Sequence, residues 1–423
     1  MMKYILYIIF MAGAVACPNK PGKEAPAAPE KKISRINFFM EVSGSMAGYM
    51  NGATGFSSTM PNLLVEMSGK IDSGRTPLHN YMIAASIMPF RGRTEDFIRK
   101  LSTENPAKEK SSEMHKIFRM VANNTDSNDI SIFTSDCILS YPDEIIKRRP
   151  EINKMQADGE LKSNITQTFL DLQKKNDMCA SLYVFNSTYN GKYYTYQNNY
   201  ILLRGDVLRP YYLWVIGNRD LLLKFNSRLK QLQHFKPVYS MDFGLYASPA
   251  NKYSILFSHE KKGSWSTTDY TTLKNVSATK NKPAVFAIAL DLHHLPAYAT
   301  DTGYLLKNLQ SKSQGLAFSI LRVTSAAGID RASLRNKEQK IIDTSTHVIL
   351  IQITSIFNDE GNIELELPLK YDTLYKKFST MDDRKKDSLA GKTFAFEHLV
   401  DGVRTAYEDL NQRFIHISIP VKK

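Results

Sequence analysis

The sequence predicts an α/β protein: a doubly wound, mainly parallel sheet over residues 33–234, followed by a β-rich, sandwich-like second domain over 235–423. Three observations carry this reading. At 423 residues the chain exceeds one typical domain. Its first half alternates short apolar, β-prone runs with stretches of helical periodicity, which implies a sheet covered by helices on both faces. From about Phe235 the rhythm changes to spaced strands separated by turn formers, with few helical patterns.

Taken in order, 33–40 (ISRINFFM) is an apolar run and reads as a buried strand. A Gly/Ser loop leads to a helical pattern over 60–71, and 79–87 reads as the next strand. Helical patterns cover 95–101 and 113–121, and 129–133 (DISIF) is a strand after a polar turn. Residues 150–175 are mostly helical, 179–185 and 211–216 are strands, and 219–232 is helical again. In the second half, strands are expected over 254–259, 284–290, 315–323, 347–353, 363–367 and 414–420, with a helix near 396–410. A turn at Asp359–Asn362 separates the fourth and fifth of these.

Composition narrows the class. The apolar fraction is 43%, and 22 tyrosines favour strands and contact surfaces over disorder. The net charge is +13, but Lys and Arg are spread along the chain, without a basic arm interleaved with aromatics. Nucleic acid is therefore not the expected partner. The excess suits solubility, or attraction to acidic envelope polymers and anionic headgroups. Three cysteines, Cys17, Cys137 and Cys179, do not make a disulfide framework. The latter two are read as buried free thiols, or as a bridge in an oxidising compartment.

The N-terminus reads as an export signal. Lys3 supplies the positive start, 4–12 is a short apolar stretch, and Ala14 and Ala16 lead into Cys17. A cysteine after small residues resembles a bacterial lipobox, here with Ala14 in place of the usual leucine. That resemblance implies lipidation of Cys17 and a lipid-anchored place in the cell envelope, facing the periplasm or the surface. The Pro/Ala/Lys/Glu segment 18–32 has no large apolar residue and reads as a disordered tether.

The first strand ends in Glu41-Val42-Ser43-Gly44-Ser45-Met46. A carboxylate and two hydroxyls at alternating positions place three oxygens on one loop, and hard cations such as Mg²⁺ prefer oxygen ligands. Open α/β sheets bind ligands at the carboxyl ends of their strands. The loop resembles the metal-ion-dependent adhesion site of the von Willebrand factor type A (vWA) domain, a Rossmann-like fold. That site has an Asp-x-Ser-x-Ser loop, a threonine in a second loop, and an aspartate after a later strand. The resemblance implies Glu41, Ser43 and Ser45 as the first element, with Glu41 standing where the pattern has aspartate. It implies Asp136, within Thr134-Ser135-Asp136-Cys137, as the third. Ser112, with Ser111 as the fallback, takes the threonine's place before the helix near Glu113. The implied cofactor is Mg²⁺, or Mn²⁺ or Ca²⁺, and the implied partner is a protein whose carboxylate completes the metal shell. The extra methylene of Glu41 moves its carboxylate by about 1 Å or more. Glu41 then ligates directly, holds a coordinating water, or weakens the site.

The resemblance spans about 33–232 and is most specific at Ser43–Met46. The stretches INFFMEVSGSMAGYM, ISIFTSDCILSYP and RPYYLWVIGN together resemble a group of vWA-containing lipoproteins of the Bacteroidetes. Each site residue also has a plainer explanation. Ser43–Ser45 could form a simple turn, Ser111 or Ser112 a helix N-cap, and Asp136 a cap of the next turn. Their coincidence in three strand-to-helix loops favours a cation site.

The function expected is a membrane-tethered binding or adhesion module. The alternative is a metal-independent structural or assembly component of an envelope complex. An enzyme is not expected: Val42–Met46 is not a Gly-x-Ser-x-Gly elbow, and no histidine has a defined relation to Ser45. The pair His293-His294 lacks the i, i+4 spacing of a helical zinc site. The run 189–200 (YNGKYYTYQNNY) reads either as a hairpin turning at Asn190-Gly191 or as a carbohydrate- or partner-contacting loop.

Overall fold

The computed structural model describes residues 31–108, 112–175, 177–246, 248–409 and 411–423. The expected signal, Cys17, nearly all of the tether and the fallback Ser111 lie outside the described residues. The chain is mixed α/β. A seven-stranded central sheet contains β1 (Arg35–Glu41), β2 (Leu78–Ile83), β3 (Ile87–Pro89), β4 (Asp129–Ser135), β5 (Met178–Tyr194), β6 (Tyr200–Asn218) and β7 (Tyr239–Phe243). Their order is β3-β2-β1-β4-β6-β5-β7.

β1 lies between β2 and β4 and is parallel to both. β3 is antiparallel to β2, β6 to both β4 and β5, and β7 to β5. Thus β1, β2, β4 and β5 run one way and β3, β6 and β7 the other. The antiparallel flank follows from the β5–β6 connection, since strands joined by a short turn must pair antiparallel. That turn lies at Thr195–Asn199, not at Asn190-Gly191 as the sequence suggested: Thr195 N–H donates to Asn199 O at 2.8 Å, and Asn198 takes φ 62°. Asn190 and Gly191 remain in the ladder because Tyr189 and Tyr193, both fully buried, hold this part of β5 against the short helix Ala47–Met50. A Cβ on Gly48 would meet the Tyr189 ring at 2.3 Å, so only glycine permits this approach.

The period-two burial of the strands sorts two helical layers. Ile36, Phe38 and Met40 of β1, with Leu213 and Val215 of β6, face one core. That core includes α1 (Gly55–Lys70), α2 (Thr94–Glu104) and the later helix Arg219–Leu229. Phe39, Phe133 and Trp214 face the other core, which includes α3 (Met114–Asn123), α4 (Lys162–Lys174), and Phe396–Tyr407. In chain order those last two helices, Arg219–Leu229 and Phe396–Tyr407, are α5 and α6. Cys137 belongs to one core and Cys179 to the other, and both are free thiols. The sheet between them excludes the bridge that the sequence left open.

The larger of the remaining sheets are two antiparallel ones, of four and three strands. One contains Leu316–Ser325, His347–Ile356, Ala284–Leu290 and Tyr253–Leu256; the other contains Gln310–Gln314, Glu360–Pro368 and Arg413–Lys422. Ile363, Leu365, Ile415 and Ile417 of the second share a cluster with Phe286, Ile288 and Ile351 of the first. The same cluster continues beneath the central sheet. The change of rhythm near Phe235 is therefore not a break in the core, and residues 32–423 form one compact unit. β7 returns to the central sheet, and α6 lies against α4 so closely that a Cβ on Gly402 would sit 2.7 Å from the Lys162 carbonyl. Among the described residues no helix is long and apolar enough to cross a membrane.

Glu66, 7% exposed on α1, pins the segment after α5. Its carboxylate accepts from Lys70 Nζ at 2.6 Å and from the backbone N–H groups of Gln233 and His234 at 3.3 and 3.0 Å. Burial works to raise its pKa, but Lys70 and the His234 contacts outweigh that and hold it at about 2. Since the folded-state pKa lies below the unfolded value of about 4.3, the stabilisation is complete above that value and fades as pH falls toward 2. Glu66→Gln is expected to cost about 1–3 kcal/mol at pH 7 in urea unfolding. The difference from wild type should shrink on acidification, and a gap independent of pH would contradict this assignment.

Candidate functional site

The site forms at the carboxyl ends of β1 and β4. Met40 pairs with Thr134 in the parallel ladder, which brings Glu41 level with Ser135 on the face that also carries Phe39 and Phe133. Glu41 is 0% exposed. Its two oxygens accept hydrogen bonds from different parts of the chain: Ser112 Oγ, in the segment before α3, donates to Oε1, and Ser135 Oγ, at the end of β4, to Oε2. Ser112 is placed by a backbone exchange with Ser140, N–H to O at 3.1 Å and 3.0 Å in the two directions. It is not the N-cap of α3; that position is Glu113, which makes no side-chain cap.

The loop after β1 supplies the rest. Ser43 and Ser45 hydroxyls lie 3.0 Å apart, and Ser45 Oγ donates to Asp136 Oδ1 at 3.0 Å. Asp136 is 0% exposed, and its Oδ2 is buried without a hydrogen-bond partner. Directly after it, Cys137 takes φ 55°, turning the chain away from β4. Glu41 with Ser112, and Ser43 and Ser45 with Asp136, thus form two neighbouring hydrogen-bonded groups, close enough that the Asp136 charge acts on Glu41.

Two residues the sequence reading missed complete it. Ser135 both donates to Glu41 and accepts from Cys137 N–H at 2.7 Å. Its signal was available: strand alternation places it on the same face as Glu41 once β1 and β4 are neighbours. Arg209 gave no such signal. It is 0% exposed and sits with its guanidinium 4.1 Å from the Tyr193 ring centroid, with Nε 3.4 Å from Tyr49 Oη.

Electrostatics follow from this burial. Loss of water, then the nearby Asp136 charge, push the Glu41 carboxyl upward, while the hydroxyls of Ser112, Ser135 and Ser43 oppose the shift. Burial likewise pushes Asp136 upward, opposed first by Arg209 and then by Ser45. Two carboxylates without solvent, one with an unpartnered oxygen, make a strong field for a cation. Hydroxyl and carboxylate donors suit a hard divalent ion. Among the described residues no group of three or more His, Cys, Asp or Glu is placed to hold a metal; this cluster has two carboxylates and relies on serine oxygens. A pocket of about 330 Å³ opens on Ser43, Ser45 and Ser112, with Lys108, Thr195 and Asn198 among its other walls.

Removing Ser135 Oγ leaves Glu41 Oε2 buried and unpaired. Ser135→Ala is expected to cost about 1–3 kcal/mol in denaturant unfolding. In a Glu41→Gln background the same change should cost less, with a coupling of about 0.5 kcal/mol or more in a double-mutant cycle. Strict additivity would show that the two side chains do not act together.

Comparison of the chain with protein-family models, with curated proteins and with solved structures finds no match.

Proposed function

We propose that the chain is a membrane-tethered binding module of vWA type, whose Glu41–Asp136 cluster holds a divalent cation that engages an acidic group of a protein partner. Ser43, Ser45 and Ser112 would supply hydroxyl oxygens, and Glu41 and Asp136 carboxylates, directly or through water. Bound Mg²⁺, Mn²⁺ or Ca²⁺ would offer an open coordination position to a carboxylate. The observation that carries this reading is Asp136 Oδ2, a buried carboxylate oxygen without a partner beside a loop of hydroxyls. The parallel β2-β1-β4 centre with an antiparallel β3 edge and helices on both faces supports the vWA assignment. Binding is favoured over catalysis because, among the described residues, the partners of Ser45 Oγ are Ser43 and Asp136 and no imidazole is bonded to it.

One observation favours a second reading. Both oxygens of Glu41 are already satisfied within the chain, by Ser112 and Ser135. A cluster closed in this way could serve as a metal-independent scaffold in an envelope assembly.

Calorimetric titration of the detergent-solubilised chain with Mn²⁺ should show one saturable site, weakened about tenfold or more by Ser43→Ala with Ser45→Ala. No binding at about 10 mM metal, some 2.7 kcal/mol of standard free energy, would remove the metal reading. Affinity capture from envelopes should then be insensitive to EDTA. The tether is tested separately: Cys17→Ser should move the protein from the membrane pellet to the soluble fraction, and unchanged pelleting would argue against a lipid at Cys17.

A further inference from the structure

A larger cleft, of about 670 Å³, shares no lining residue with the pocket over Ser43. Its walls come from α5 and the residue after it, β7 with Leu245 and Tyr246, and the segments 293–298 and 371–374. At its base runs a hydrogen-bond chain. Ser181 Oγ donates its one proton to Asp242 Oδ1 at 2.5 Å, so it must accept from Asn226 Nδ2 at 2.7 Å. This fixes the amide of Asn226 and leaves Oδ1 as an acceptor with no partner, on a residue only 4% exposed that lines the cleft.

The donors around it are spent internally. Tyr246 Oη donates to Asp242 Oδ2 at 3.1 Å, Tyr239 Oη to Asp372 Oδ1 at 2.7 Å, and Tyr298 Oη to the Lys370 carbonyl at 2.8 Å. Among the described residues neither Asp242 nor Asp372 forms an ion pair with a basic side chain. Of the histidines in the wall, His293 is turned to Asp291 at 2.8 Å, and burial, then His293, lower the pKa of His294. Lys230 is exposed. The rim carries two exposed apolar side chains, Leu223 at 43% and Leu374 at 55%.

What remains unspent is acceptor capacity: the Asn226 oxygen, two carboxylates and the electron-rich faces of tyrosine rings. A complementary ligand must donate hydrogen bonds, carry positive charge and present an apolar stem to the leucines. We propose that this cleft binds a primary alkylammonium group of the lysine side-chain type. The site is independent of the cation cluster at Glu41.

The test titrates the full chain in detergent with Nα-acetyl-lysine N-methylamide, alongside the neutral isostere Nα-acetyl-norleucine N-methylamide. Saturable binding of the lysine compound in about the millimolar range is expected. Asp372→Asn and Tyr298→Ala should each weaken it about fivefold or more. Ser43→Ala with Ser45→Ala should leave it unchanged. Near-UV circular dichroism checks that the variants keep the native packing, and the near-isosteric Asp242→Asn provides a second carboxylate probe. Absence of saturation by about 50 mM overturns the proposal. So does equal binding of the neutral isostere, or binding indifferent to both carboxylate variants. Preference for glucose or N-acetylglucosamine over the lysine compound would assign the cleft to saccharides instead.

Discussion

Glu41 is a carboxylate with no exposed surface, set where two parallel strands end together. Taking an ionised carboxylate out of water is costly unless its lone pairs find donors. Here the donors are Ser112, in the segment before α3, and Ser135, at the end of β4, and both depend on register. Slipping β4 by one residue would turn Ser135 to the opposite face and present Thr134 or Asp136 in its place. The strand pairing, the approach of the Ser112 segment and the turn at Cys137 are thus all constrained by one side chain. Asp136 adds a second buried carboxyl, and the charge of the buried Arg209 works against the upward shift that burial imposes on it. The neighbourhood is tuned by charge as much as by packing.

Much of this was legible beforehand. The alternation of strand and helix in the first half foretold a covered central sheet, and the motif residues Glu41, Ser43, Ser45, Ser112 and Asp136 do converge. Local pattern sufficed because each sits within a residue or two of a strand end or a backbone bridge. What failed to show was long-range. The β5–β6 turn was misplaced because Asn190-Gly191 is a strong turn signal in isolation, overridden by burial of Tyr189 and Tyr193. The strand expected over 79–87 is a tight hairpin of β2 and β3, since apolar residues on both arms read as one run. Arg209 lies beside Pro210 in an apolar segment and offers no periodic clue that its charge is internal.

The second half is less an appendage than a partner in the same core. Gly402 admits α6 to within van der Waals contact of α4, and Thr166 and Gln173 donate to carbonyls of α6 at 3.0 and 2.6 Å. Asp383 closes another connection. It is 0% exposed and accepts from Tyr193 Oη at 2.6 Å and from Tyr196 N–H at 3.0 Å. Tyr193 is also the ring beneath Arg209. The hairpin wall beside Thr195 and Asn198 is therefore fastened from the C-terminal half, so changes there can reach the site through packed, hydrogen-bonded groups.

β1 begins at Arg35 and ends at Glu41, with parallel neighbours on both sides. A pull between the two ends of this strand runs along the strand axis. In that direction the two ladders are loaded in shear: their hydrogen bonds must yield together, whereas a perpendicular pull would open them one at a time. The geometry places the mechanically strongest direction of the central sheet in line with the path from residue 33 to the site.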